Sequence, residues 1–143
     1  MRRGFWLGVL GVVAVTGLIS WSGVALAASA GPSGNLSQQV AGGGVTVAAT
    51  LLKDQAEATA IKLVLDTHAG NLDGYKFEAI AALRDDTGKT YPVEAVEQAS
   101  GGGHHRQAVL RFEKLSSEAR SIELIVKDVA GVKERIFRWN TTE

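Results

Sequence analysis

From residue 45 onward the apolar side chains fall on every second position, in short runs separated by Gly, Asp and Asn. Val45, Val47, Ala49 and Leu51 alternate with Thr46, Ala48 and Thr50, and Ile61, Leu63 and Leu65 alternate with Lys62 and Val64. A period of two sends alternate side chains to opposite faces of an extended chain, so these runs predict half-buried antiparallel strands. A third run is predicted from Lys76 through Phe77, Ala79, Ala81 and Leu83 to Arg84, although Ala79 to Ala82 taken alone suits a helix equally well. Asp85-Asp86-Thr87-Gly88 then supplies turn residues, and Thr90 to Val96 is expected to return as the second arm of a hairpin. Gln107 to Phe112, Ser121 to Val129 and Val132 to Trp139 complete a set of seven strands, with room for one helical turn on the Glu113 to Arg120 crossover.

Short alternating strands with turn signals every 8 to 12 residues or so predict an all-β fold, an immunoglobulin-like antiparallel β-sandwich over residues 45–143. Ahead of it, residues 31–44 are rich in Gly, Ser and other small residues without a sustained apolar period, and are expected to be a flexible linker. Residues 1–30 have a different build. Arg2 and Arg3 precede an acid-free apolar run from Phe5 to Leu26, which ends in Ala25-Leu26-Ala27 and Ala28-Ser29-Ala30. That pattern predicts a secretory signal peptide cleaved after Ala27 or Ala30; uncleaved, the run is long enough to cross about 30 Å of hydrocarbon as a membrane anchor. Arg2-Arg3-Gly4-Phe5 has some likeness to a twin-arginine export signal. The expectation is an exported protein, periplasmic or extracellular, or else anchored and facing outward.

Composition narrows the classes of function. With 143 residues, 45% hydrophobic and 21% charged, the chain holds one core. Two of the 15 basic residues lie in the signal and none of the 15 acidic ones do, leaving 13 against 15 and no basic stripe for a nucleic acid. There is no cysteine, which excludes a lipoprotein anchor, disulfide staples, thiolate metal sites and a blue-copper centre; Met1 is the one methionine, so a cuprous thioether site is excluded as well.

All three histidines fall in two short stretches, Asp66-Thr67-His68 and Gly101-Gly102-Gly103-His104-His105-Arg106. In a sandwich whose strands alternate in direction, the end of the second predicted strand and the start of the fifth meet at one pole. His68, His104 and His105 are therefore expected there together, with Asp66, Asp73 and Asp128 close by. Two or three imidazoles and a carboxylate make a ligand set for zinc or cupric copper, so His68, His104, His105, Asp66 and Asp73 are the candidate metal residues. Adjacent strand residues point to opposite faces, so His104 and His105 share an ion only where the glycines make the loop irregular. The same imidazoles could instead cap loops through backbone carbonyls and Asp66, or one could act as a general acid or base.

Other chemistry is poorly supported. Asp66-Thr67-His68 would supply two members of a hydrolase triad, but neither Ser100 nor Ser116 sits in a nucleophile elbow. No helix or Lys-Ser/Thr pair follows Gly101 to Gly103, so the glycines are not a phosphate cradle. Asp85-Asp86 reads as turn chemistry, Tyr75 as a structural corner residue, Trp139 as core or rim, and Arg106 as half of an ion pair. The expectation is a protein that is not an enzyme. It binds a divalent metal at the histidine pole or, alternatively, is a metal-free interaction or assembly module of the cell envelope.

Asp66-Thr67-His68, Leu72-Asp73-Gly74-Tyr75, Leu83-Arg84-Asp85-Asp86-Thr87-Gly88, the Gly-Gly-His-His-Arg block and Leu110-Arg111-Phe112 together resemble a family of small exported bacterial immunoglobulin-like proteins, over residues 60–143 or so. That family often has a glycine where this chain has Gln107-Ala108 and a tryptophan where it has Val96. The resemblance implies the fold and export, and no activity.

Overall fold

The computed structural model describes residues 36–52 and 58–141. Its elements run β1 (Ser37–Gly42), β2 (Val45–Leu52), β3 (Thr59–Thr67), α1 (Phe77–Ile80), β4 (Ala81–Asp85), β5 (Thr90–Pro92), β6 (Ala95–Gly102), β7 (His105–Phe112), β8 (Ser121–Val129) and β9 (Val132–Asn140). The strands form two antiparallel sheets, five-stranded in the order β1-β2-β3-β7-β6 and four-stranded in the order β5-β4-β8-β9. The expected all-β antiparallel sandwich is therefore what the chain builds. The core is made by the inward set of each alternating strand: Val47, Ile61, Leu63, Leu65, Leu110 and Phe112 from one sheet face Leu83, Tyr91, Leu124, Val126, Phe137 and Trp139 from the other. Each such side chain contributes about 1.5–3 kcal/mol on burial, so the period-two pattern, more than any loop contact, sets this architecture.

Three local expectations are revised. The stretch expected to be a linker contains β1, whose Gln38 and Val40 are buried while Ser37, Gln39 and Ala41 are exposed. Its glycines form the β1–β2 turn, with Gly43 and Gly44 at positive φ, and are not a tether. β1 is held to the neighbouring sheet by side chains, with Gln38 Nε2 donating to Arg138 O at 2.6 Å and Trp139 Nε1 donating to Leu36 O at 3.0 Å. Trp139 is thus a core residue with its polar end satisfied.

The third predicted strand divides into the helical turn α1, which buries Phe77 and Ile80 three residues apart, and the strand β4. The run predicted from Thr90 to Val96 divides too. Its first part pairs with β4, and after Pro92 the chain changes sheets to become β6, the edge strand beside β7. A bulge between Glu97 and Ser100, with Gln98 at φ 50°, bends that edge. On the Glu113 to Arg120 crossover a single turn closed by Ala119 N and Ser116 O stands where one turn of helix was expected. The signal or anchor, residues 1–30, and the first part of the expected linker, residues 31–35, lie outside the described residues. Among those described, no helix is long and apolar enough to cross a membrane.

Candidate functional site

The two ends of the sandwich are built from different residues. One carries the histidines. β3 and β7 are neighbours, so Asp66 lies opposite His105 in register, and Thr67 N donates to His104 O at 2.9 Å. The predicted meeting of the two histidine stretches at one pole follows from that pairing. Buried Thr67 makes the local knot: its hydroxyl lies 2.8 Å from both Gly44 O and Ala69 O, with one proton to share between them, and so joins the β1–β2 turn to the start of the loop after β3.

The loop from residue 68 to 76 is clamped from below. Leu72 N donates to Gly103 O at 2.8 Å, and Gly103 N donates to Asp73 Oδ1 at 2.8 Å. Among the described residues Arg106 has no ion-pair partner. Its Nη1 donates to Leu72 O at 2.9 Å and also reaches Asp73 O and Tyr75 O, while the guanidinium lies 5.0 Å from the centre of the Phe77 ring. Tyr75 Oη accepts from Ala130 N at 2.9 Å, tying the β8–β9 turn to the same loop, which is the structural role expected of it.

Gly101 is the glycine this clasp requires: at φ 84° a Cβ there would stand 2.2 Å from His105 O. The Gly-Gly-Gly-His-His-Arg block is therefore the tight end of the β6–β7 hairpin, and its arginine is the clamp. Gly101 and Gly102 end β6, and His105 begins β7.

The imidazoles themselves stay outside this network. His68, His104 and His105 are all exposed, as are Asp66 and Asp73. His105 Nδ1 stands 3.5 Å from Asp66 Oδ2, both side chains being about half exposed, 53% and 55%. The side chains of His68 and His104 make no hydrogen bond or ion pair among the described residues. Asp73 directs an oxygen at the Gly103 amide, and Asp128, the residue of β8 that the β8–β9 register skips between Lys127 and Val129, stands at φ 54°. The backbone thus brings the candidate residues to one pole. Among the described residues, however, no group of three or more His, Cys, Asp or Glu side chains is arranged to hold a metal ion.

Sequence reasoning did not find Arg135, which is fully buried beneath this pole and has no carboxylate partner among the described residues. Its guanidinium donates to Val129 O at 2.9 Å and Gly42 O at 2.6 Å, so one side chain joins the β8–β9 turn to the end of β1. Burial lowers its pKa from the ordinary arginine value. The signal for it was present: Arg135, Phe137 and Trp139 are two apart, so the face that buries the aromatics must also bury the arginine.

At the opposite pole Asp85 is buried, 4% exposed, and accepts four hydrogen bonds: from Thr87 N and Lys89 N at 3.0 Å, Thr87 Oγ1 at 2.7 Å and Tyr91 Oη at 2.8 Å. The Thr87 hydroxyl leads the groups that hold its pKa below the usual carboxylate value. Asp86 Oδ1 accepts from Arg120 N at 2.8 Å and Ser121 N at 3.2 Å, and these backbone donors lower its pKa likewise. The paired carboxylates are turn chemistry, as their sequence indicated. Desolvation raises the Tyr91 pKa, and its hydroxyl accepts from Ser116 N at 3.0 Å.

No family model matches this chain, and no curated protein or solved structure shows significant similarity to it.

Proposed function

We propose that this protein is an exported β-sandwich that serves as a metal-free interaction or assembly module of the cell envelope, without catalytic activity, and that the histidine pole is its contact surface. The observation that supports this is the division of labour at the pole. Arg106, Asp73, Tyr75 and Thr67 direct their polar atoms inward and hold the loops, while His68, His104 and His105 are left exposed. Loops ordered in advance lose little conformational entropy on association, which suits them to recognition. β1 begins at the other end of the domain, since Ser37 pairs with Thr50 and Gly42 with Val45, so the chain ahead of it joins at the pole away from the histidines. A signal or anchor in residues 1–30 would leave the histidine pole pointing outward.

Zinc or cupric copper is the rival occupant, favoured by one observation: the β3–β7 pairing gathers all three histidines at adjoining turns. Two measurements separate the readings. A photo-activatable cross-linker placed at residue 68 or 104 in the producing cell should give an adduct with an envelope protein, and one at Lys114 near the other pole should not. Titration of zinc and cupric ions at pH 7.5 should show binding no tighter than roughly 0.1 mM, about what scattered surface histidines reach. Tighter binding that is lost in His68→Ala, and in protein lowered to pH 5.5, would replace the interaction reading with the metal one.

A further inference from the structure

The two outer sheet faces differ in how their charges are used. On the four-stranded sheet Arg84, Glu123 and Arg138 are register neighbours and satisfy one another, at 2.6 and 2.7 Å. On the five-stranded sheet the register lays out three successive rows. The middle one, Gln39, Ala48, Val64, Gln107 and Ser100, carries no charge. The row on one side is Ser37, Thr50, Lys62, Val109 and Glu97; on the other it is Ala41, Thr46, Asp66, His105 and Gly102. Lys62 and Asp66 therefore flank Val64 at equal distances along β3. Glu97 is paired with Arg111 at 2.8 Å, but Lys62 has no ion-pair partner among the described residues.

We propose that this face is a self-association surface on which a second copy of the chain stacks with its strands antiparallel. A two-fold axis lying between the copies and along the uncharged row carries each Lys62 onto Asp66 of the second copy, giving two opposite-charge contacts from one symmetry operation. That row sets no like charges against each other when aligned sheets stack about 10 Å apart, and Ala48 and Ser100 in it are small. The same operation brings exposed His105 over the shallow depression, about 270 Å³, bordered by Lys62, Glu97, Gln107 and Val109 of the second copy. Five strands about 4.8 Å apart and three rows about 6.8 Å apart give a face of roughly 490 Å² per copy. That is well under the roughly 800 Å² a side of stable complexes, so the dimer is a weak one that forms toward the upper end of the concentrations tested below. The inference uses the sheet face and stands whether or not the histidine pole binds a partner.

Sedimentation of the exported protein in EDTA, from about 10 μM to 1 mM, tests it. A monomer–dimer equilibrium is expected, weakened at least tenfold by Lys62→Glu or Asp66→Lys alone and restored by the two together, with Arg84→Glu on the other face without effect. Circular dichroism checks that these surface variants keep the fold. A monomer throughout the range, single variants that dimerise as before, or a double variant that fails to recover would each overturn the proposal. So would a dimer that forms only when zinc or copper is supplied, which would mark bridging through the histidines.

Discussion

The two poles of this sandwich are both rich in ionisable side chains, yet they use them in opposite ways. At one, Asp85 and Asp86 turn their oxygens toward backbone amides, and Asp85 is almost wholly buried with four donors directed at its carboxylate. At the other, Arg106 and Asp73 do the equivalent work, and the three histidines, with Asp66 beside His105, face solvent. A pole whose polar atoms are all consumed internally is structural. One that is held rigid yet leaves imidazoles exposed has groups available to something else. This contrast, not the presence of histidine as such, is what makes one end the candidate site.

The contrast can be broken by mutation. Asp85→Ala removes the acceptor for four donors inside the fold and should have the largest effect, a fall in Tm of roughly 10 °C or more in a thermal melt, because buried donors left unmade are costly. Its pH signature has a definite sign. A carboxyl whose folded pKa is depressed contributes stability that is present above the ordinary aspartate value of 3.8 and is lost as pH falls below it toward the folded value. Melts of wild type from pH 6 to pH 2 should therefore lose stability below about pH 4, and Asp85→Asn should flatten that arm.

At the histidine pole, Arg106→Ala should cost about 2 kcal/mol in urea unfolding, the size expected when a charged donor shared among backbone carbonyls is lost, and should increase amide exchange at residues 71–76. Lysine at 106 should restore only part of it, since a single ammonium cannot reproduce the planar contact with Phe77. Asp73→Ala loses one charge-assisted bond to Gly103 N at a partly exposed site and should cost about 1 kcal/mol. The smallest effect is expected for His68→Ala and His104→Ala, which should change stability by less than about 0.5 kcal/mol because neither side chain has an internal partner. A loss of 2 kcal/mol in either would mean that the imidazoles are structural, and would remove the distinction between the poles.

Much of the fold was legible in the chain. Val45 to Leu51, Ile61 to Leu65, Ser121 to Val129 and Val132 to Trp139 are strands, because a half-buried strand must alternate and nothing else in a short chain alternates so regularly. β1 was hidden because an edge strand with Gln38 at a buried position and glycines after it carries too few apolar residues to show a period. β6 was hidden for a related reason: its far half, Gln98 to Gly102, is exposed, bulged and mostly small, so no face of it is marked by hydrophobicity. α1 was ambiguous because four residues contain only one turn, and Phe77 and Ile80 satisfy either reading until packing chooses.

The candidate site was legible only in outline. By itself the sequence determined that Asp85-Asp86-Thr87-Gly88 is a turn, since turn chemistry is a local consequence of residue order, while the meeting of the two histidine stretches was an expectation that rested on an assumed topology and came about through the β3–β7 pairing. It also determined the absence of thiolate chemistry, since the chain has no cysteine. Only the tertiary structure decided that Arg106 grips three carbonyls where an ion pair was expected, that Arg135 is buried beneath the pole, and that Lys62 and Asp66 are spaced symmetrically about an uncharged row. Those facts depend on which strands become neighbours and in what register, a matter settled by the whole core at once and by no stretch of chain alone.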